Sequence, residues 1–152
     1  MATPIAVITT PALRVPDEEL ARRERDALPL TADERRGGRR RVQTRSGREL
    51  ALALPAGTIL APGDVLYVAR DWYVVVEAAP EPVLAVRPRS REEALHVAYE
   101  VGSRHFALGV DGEALLVPDD SIMEQLLGRL GVPWERTQAG FVPLRAAHRP
   151  DR

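Results

Sequence analysis

The sequence predicts a two-domain α+β protein: a β-rich, sandwich- or barrel-like domain over residues 1–79, a ferredoxin-like βαββαβ domain over 80–143, and a flexible tail over 144–152. Three observations carry this expectation. Leu50, Leu52 and Leu54 alternate with Glu49, Ala51 and Ala53, the period of a half-buried strand. The stretch Ala78-Ala79-Pro80-Glu81-Pro82 interrupts the strand pattern, because proline has no N–H for a ladder and restricts the residue before it. Beyond it, strand and helix signals alternate. At 152 residues the chain is long enough for two small domains.

Residues 1 to about 28 mix proline, charge and short apolar pieces, so a brief polar helix at Asp17–Arg23 within a partly mobile segment is expected. Short strands follow at Val42-Gln43-Thr44, Glu49–Leu54, Thr58-Ile59-Leu60, Val65–Val68 and Trp72–Val76. Turn clusters at Ser46-Gly47, Pro55-Ala56-Gly57 and Pro62-Gly63-Asp64 separate them. In the second half, a strand at Val83–Arg87 precedes Ser90-Arg91-Glu92-Glu93, a capping box that opens a helix ending at Gly102. Next come a strand at His105–Val110, the hairpin turn Asp111-Gly112, and a returning strand at Ala114–Val117. Ser121-Ile122-Met123-Glu124 reads as a second capping box. Ile122, Met123, Leu126, Leu127 and Leu130 share one face of that helix, Gly131 and Pro133 end it, and Trp134–Thr137 is the last strand. In the ferredoxin-like arrangement both helices cover one face of an antiparallel sheet and leave the other available.

Composition narrows the function classes. The formal net charge is −1, cysteine is absent, and there are three histidines. No apolar run approaches the ~20 residues that span a bilayer, and Pro4–Ile8 is too short for a signal peptide, so a cytoplasmic protein without membrane contact is expected. Disulfides and thiolate metal sites are excluded. No phosphate-binding loop, nucleophile elbow or His-Glu-x-x-His segment is present, and the chain is not read as an enzyme.

His105 stands out. If strand periodicity places Phe106, Leu108 and Val110 in the core, His105, Ala107 and Gly109 face the open side of the sheet. A metal held there needs ligands from elsewhere, most simply from a second subunit. The plain alternative is a partly exposed histidine near a helix end. His96 is read as pairing with Glu92 or Glu100 on the helix surface, and Asp119 and Asp120 as favourable charge at a helix N-terminus.

Several segments resemble one known family. They are Asp33–Thr44 with Ser46-Gly47, Leu54–Leu60, Gly63–Leu66, Pro82–Arg87, Ala98–His105, Met123–Gly131 and Phe141-Val142-Pro143. Taken in order, they resemble the urease accessory metallochaperones called UreE, from about Leu30 to Phe141. The resemblance implies a homodimer that binds Ni²⁺ and passes it, through the urease accessory GTPase, to the urease apoprotein complex. The family's Gly-Asn-Arg-His motif falls on Gly102-Ser103-Arg104-His105, with Ser103 in place of asparagine, and makes His105 the metal ligand from each subunit. Two imidazoles also suit Zn²⁺ or Cu²⁺. Where some family members carry auxiliary histidines, this chain has Glu100 and Pro118-Asp119-Asp120-Ser121, and of a histidine-rich tail only His148 remains as a further candidate ligand.

Two rivals stand beside this reading. One is a protein-interaction or assembly module without a metal role. The other is RNA binding through the arginine run between Arg35 and Arg48, against which stand the flanking Asp33, Glu34 and Glu49, the net charge, and a central strand without aromatics; no nucleic-acid partner is expected.

Overall fold

A computed structural model describes residues 3–144, and the chain divides between Ala79 and Pro80 into two units. The first contains β1 (Ala6–Ile8), α1 (Asp17–Ala21), β2 (Glu24–Leu30), β3 (Arg39–Gln43), β4 (Glu49–Ala53), β5 (Val65–Val68) and β6 (Trp72–Ala78). Two three-stranded sheets, ordered β1-β4-β3 and β2-β6-β5, share one core. In β4 the period-two pattern buries Leu50 and Leu52, with Leu54 just beyond, beside Leu28 and Leu30 from β2 and Val74 and Val76 from β6.

The opening segment is more ordered than its composition suggests. Residues 24–30 form an edge strand that pairs in parallel with β6, Glu24 opposite Trp72 and Leu30 opposite Ala78. Its charges hide it, because their partners are far along the chain. Arg25 bonds Glu77 at 2.7 Å. Asp26, only 1% exposed, accepts hydrogen bonds from Thr44 Oγ1 (2.6 Å), Arg48 (2.9 Å) and the Ser46 N–H (3.1 Å). Burial works to raise this carboxyl's pKa, but the bonds from Thr44, Arg48 and Ser46 outweigh it and hold it below its ordinary value. Asp26 thereby pins the β3–β4 turn to β2. Thr58-Ile59-Leu60 is not a full strand; the segment forms an isolated bridge, Ile59 with Arg36.

The second unit runs β7 (Pro80–Val86), α2 (Arg91–Ser103), β8 (Gly109–Asp111), β9 (Ala114–Pro118), α3 (Ser121–Leu130) and β10 (Trp134–Gly140). Its sheet is antiparallel throughout, in the order β10-β7-β9-β8. Leu84, Val86 and Val117 pack with Val97 and Val101 of α2 and with Met123, Leu126 and Leu127 of α3. Val83 and Ala85, on the other side of β7, are buried as well, so that face is not open along the central strand.

Pro80 and Pro82 do not stop β7. The Arg87 N–H donates to Pro133 O (3.0 Å), so odd-numbered residues direct their N–H towards β10 and the two prolines face the β9 side. Pairing with β9 begins only at Val83, and no ladder bond is lost.

Ser90 caps α2 by accepting from the Glu93 N–H (3.1 Å), while Glu93 reaches back to the Arg89 N–H (3.0 Å). The α3 cap lies one residue earlier than expected: Asp120 accepts from the Ile122 N–H at 2.7 Å, and Ser121 is already helical. The larger departure is at His105–Leu108. These residues precede the strand, which is only Gly109–Asp111, and Val110 is 55% exposed while Gly109 is buried.

A candidate metal site at the end of helix α2

Helix α2 carries Val97 and Val101 into the core and leaves Leu95, Tyr99 and Gly102 on an uncovered face. After Ser103 it closes with a Schellman turn. The His105 N–H donates to Gly102 O (3.0 Å), and the Phe106 N–H reaches back to Val101 O (3.2 Å). Phe106 packs against the core cluster that contains Val101, which supplies the apolar contact such turns use. The turn needs a left-handed residue between them, and His105 takes it at φ 60°, the only non-glycine described with positive φ.

His105 is therefore exposed because of a helix ending, not because of strand alternation. The residue is exposed, and among the described residues its imidazole has no hydrogen-bond or ion-pair partner. No group of three or more His, Asp or Glu side chains in the described residues is arranged to hold a metal.

The neighbouring polar residues are engaged elsewhere. Arg104 donates to the carboxylate of Glu100 (2.5 Å) and to its carbonyl oxygen (2.9 Å). That guanidinium bond, more than His96 at 3.5 Å, keeps the Glu100 carboxyl below the usual range despite the opposing desolvation. His96 pairs with Glu100, not Glu92, as a helix-surface contact. Asp119 receives Arg136 Nε at 3.0 Å, and Arg136 also bonds Glu124 (2.9 Å), so Asp119 is an ion-pair partner and Asp120 a cap.

His148 lies outside the described residues. The last described residues approach the site's own segment: the Leu144 N–H donates to Leu108 O (2.8 Å), and Pro143 bridges Gly109. Sequence reading missed the left-handed turn. Its signal is Phe106 following Arg104-His105, an apolar residue placed to return to Val101, whereas Gly102 draws attention as the helix end three residues too early.

Comparison with known proteins bears on what this site belongs to. Residues 9–79 match the N-terminal domain of the UreE urease accessory protein, and residues 81–152 match its C-terminal domain. The chain belongs to the UreE family. It is 47% identical to the urease accessory protein UreE of Deinococcus radiodurans over 114 residues, 75% of this chain and 74% of that protein. To the UreE of Synechococcus sp. (strain JA-3-3Ab) it is 41% identical over 114 residues, 75% of this chain and 76% of the relative. With the UreE of Parasynechococcus marenigrum the similarity spans 143 residues at 39% identity, 91% of this chain and 95% of the relative. The two UreE domain matches meet at Pro80, beside the division between the units. Among the described residues no helix is long and apolar enough to cross a membrane.

Proposed function

We propose that this UreE-family protein is a nickel metallochaperone, not an enzyme, acting in the cytoplasm as a homodimer that binds Ni²⁺ between subunits through the two copies of His105. The observation that carries the reading is His105 itself: a solvated imidazole on a backbone fixed by two hydrogen bonds and the packing of Phe106. A rigid backbone under an accessible donor suits a site completed by a second copy.

The uncovered face of α2 supports the dimer. Leu95 and Tyr99 are 60% and 72% exposed, they lie one turn apart, and Gly102 continues their line towards His105 with open space where a side chain would stand. Two copies meeting along this face would bury the apolar pair and bring the two imidazoles together. His148 is proposed as an auxiliary ligand. Leu144 is tied to Leu108, and four further residues extend at most about 14 Å, a span that reaches the neighbourhood of His105.

Two imidazole nitrogens leave the other coordination positions of a divalent ion to water, so an acceptor with more donors can take the ion by ligand exchange. Zn²⁺ and Cu²⁺ fit the same donors, and selectivity for nickel then rests with partners and supply. Delivery proceeds through the accessory GTPase to the urease apoprotein. In this reading the first domain is a β-sandwich that contacts partners, and the βαββαβ unit, with strand order β10-β7-β9-β8, is a ferredoxin-like metal domain.

Calorimetric titration with Ni²⁺, beside light scattering of the same sample, tests the proposal. One tight Ni²⁺ per dimer is expected, lost in His105→Ala with the dimer intact and weakened modestly in His148→Ala. An intact dimer without nickel affinity would overturn the metal role and leave an assembly module.

A further inference from the structure

We propose that the outer edge of β3 docks an extended acidic segment of a partner protein, which adds to the sheet as a fourth strand. This deepens the partner-contact role proposed for the first domain, and it is tested separately from nickel.

β3 is the terminal strand of its sheet and pairs only with β4. The Leu54 N–H donates to Gly38 O (3.0 Å) and the Thr44 N–H to Arg48 O (2.8 Å), so even-numbered positions turn their backbone groups towards β4. Arg39, Arg41 and Gln43 therefore direct theirs outward. Val42 packs against the core, which puts Arg40 on its face of the strand and Arg39 and Arg41 on the opposite face, across from Ala53 and Ala51. All three arginines are exposed, and Arg41 is already paired with Glu49 of β4 at 3.8 Å. Arg39 on one face and Arg40 on the other thus place positive charge beside this edge.

At the start of the strand a shallow cavity of about 210 Å³ is lined by Asp33, Arg36, Gly38, Arg39, Arg40 and Leu52. Its guanidinium groups are loosely held. Arg36 stands 3.7 Å from an exposed Asp33, Arg40 donates to the Glu34 carbonyl, and Arg39 has no partner among the described residues. Other arginines of the same run serve the fold: Arg35 is buried and donates to Leu30 O (2.7 Å), and Arg48 binds Asp26 with its guanidinium carbon 4.2 Å from the Trp72 ring centre.

The charge selects the occupant. A second copy pairing through the same edge would set arginine against arginine. A nucleic acid would find no aromatic ring among these residues on which to stack a base, and it cannot complete a peptide ladder. An extended segment bearing Asp or Glu at alternate positions adds to the ladder through its own N–H and C=O groups and presents a carboxylate to Arg39.

The probe is a fluorescent eight-residue peptide alternating Glu and Val, titrated into the full-length protein and followed by anisotropy and by hydrogen exchange. Saturable binding is expected, with slowed exchange at the amides of Arg39, Arg41 and Gln43. Loss of one charge-assisted contact in Arg39→Glu should weaken binding about tenfold, as should N-methylation of alternate peptide amides. Nickel titration of Arg39→Glu should be unchanged, which keeps this result distinct from the metal reading. Arg39→Gln, closer in size, provides the same comparison if the charge reversal disturbs folding. Undiminished binding by both variants, or no protection of the three amides, would overturn the proposal. An oligouridylate bound as tightly, with no effect of N-methylation, would make the edge a general polyanion patch. No peptide binding at all would reduce the arginines to charges that keep the edge from aggregating.

Discussion

Helices α2 and α3 end in the same left-handed backbone conformation but with different residues. At the end of α3, Gly131 takes φ 67°, its N–H bonds Leu127 O and Gly128 O, and a β-carbon there would meet nothing within 4 Å. At the end of α2, His105 takes φ 60°. For an L-residue this conformation costs roughly 1–2 kcal/mol that glycine avoids. The α3 end is what packing alone selects; the α2 end keeps a conformationally unfavourable side chain exposed, with no hydrogen-bond or ion-pair partner among the described residues.

Making the α2 end resemble the α3 end should give the largest effect. Outer-shell partners of a metal already contribute about 10–100-fold to affinity, so His105→Gly, which removes the proposed ligand, should lower nickel affinity by at least that much in calorimetry. The same variant should gain roughly 0.5–1 kcal/mol in thermal unfolding, because the turn remains and its strain is relieved. Nickel binding retained by His105→Gly would break the comparison. Gly131→Ala should do the reverse, destabilising by about 1 kcal/mol, or roughly 4–8 °C in Tm for a domain of this size. Nickel affinity should not change. An unaltered Tm would show that the α3 turn relaxes to accept a β-carbon.

The smallest effect concerns the ion pair before the turn. The Glu100 carboxyl is held below its ordinary value of 4.5 by Arg104, so its contribution is present above that pH and is lost as pH falls through the lowered value. Hydrogen exchange at the Phe106 amide, corrected for intrinsic rate, should lose protection in that acid range. Glu100→Gln should remove the pH dependence. A variant that keeps the wild-type profile would assign it to another group.

What was legible in the sequence was mostly local. Ser90 and Glu93 announce the start of α2, Gly112 (φ 60°) the hairpin between β8 and β9, and the alternation in Glu49–Leu54 the buried face of β4. Chemistry within a few residues fixes each of them. The strand β2 was illegible because Arg25 and Asp26 look like surface charge until Glu77, Thr44 and Arg48 are folded against them. His105 was expected to be exposed but was assigned to a strand, since the turn that exposes it depends on Phe106 reaching the core. The uncovered line of Leu95, Tyr99 and Gly102 was equally hidden, because any apolar residue in an amphipathic helix is first assigned to the core face.

The parallel pairings of the first domain also shape how it folds. β1 joins β4, with Ala6 opposite Leu50, and β2 joins β6, with Glu24 opposite Trp72. These two closures overlap along the chain instead of nesting, so neither sheet can be completed by a continuous stretch of local sequence. During synthesis Leu28 and Leu30 emerge well before β6, the strand that pairs with theirs. Until then they offer an unpaired, apolar edge, and the first domain is the half of the molecule most exposed to misassembly before it closes.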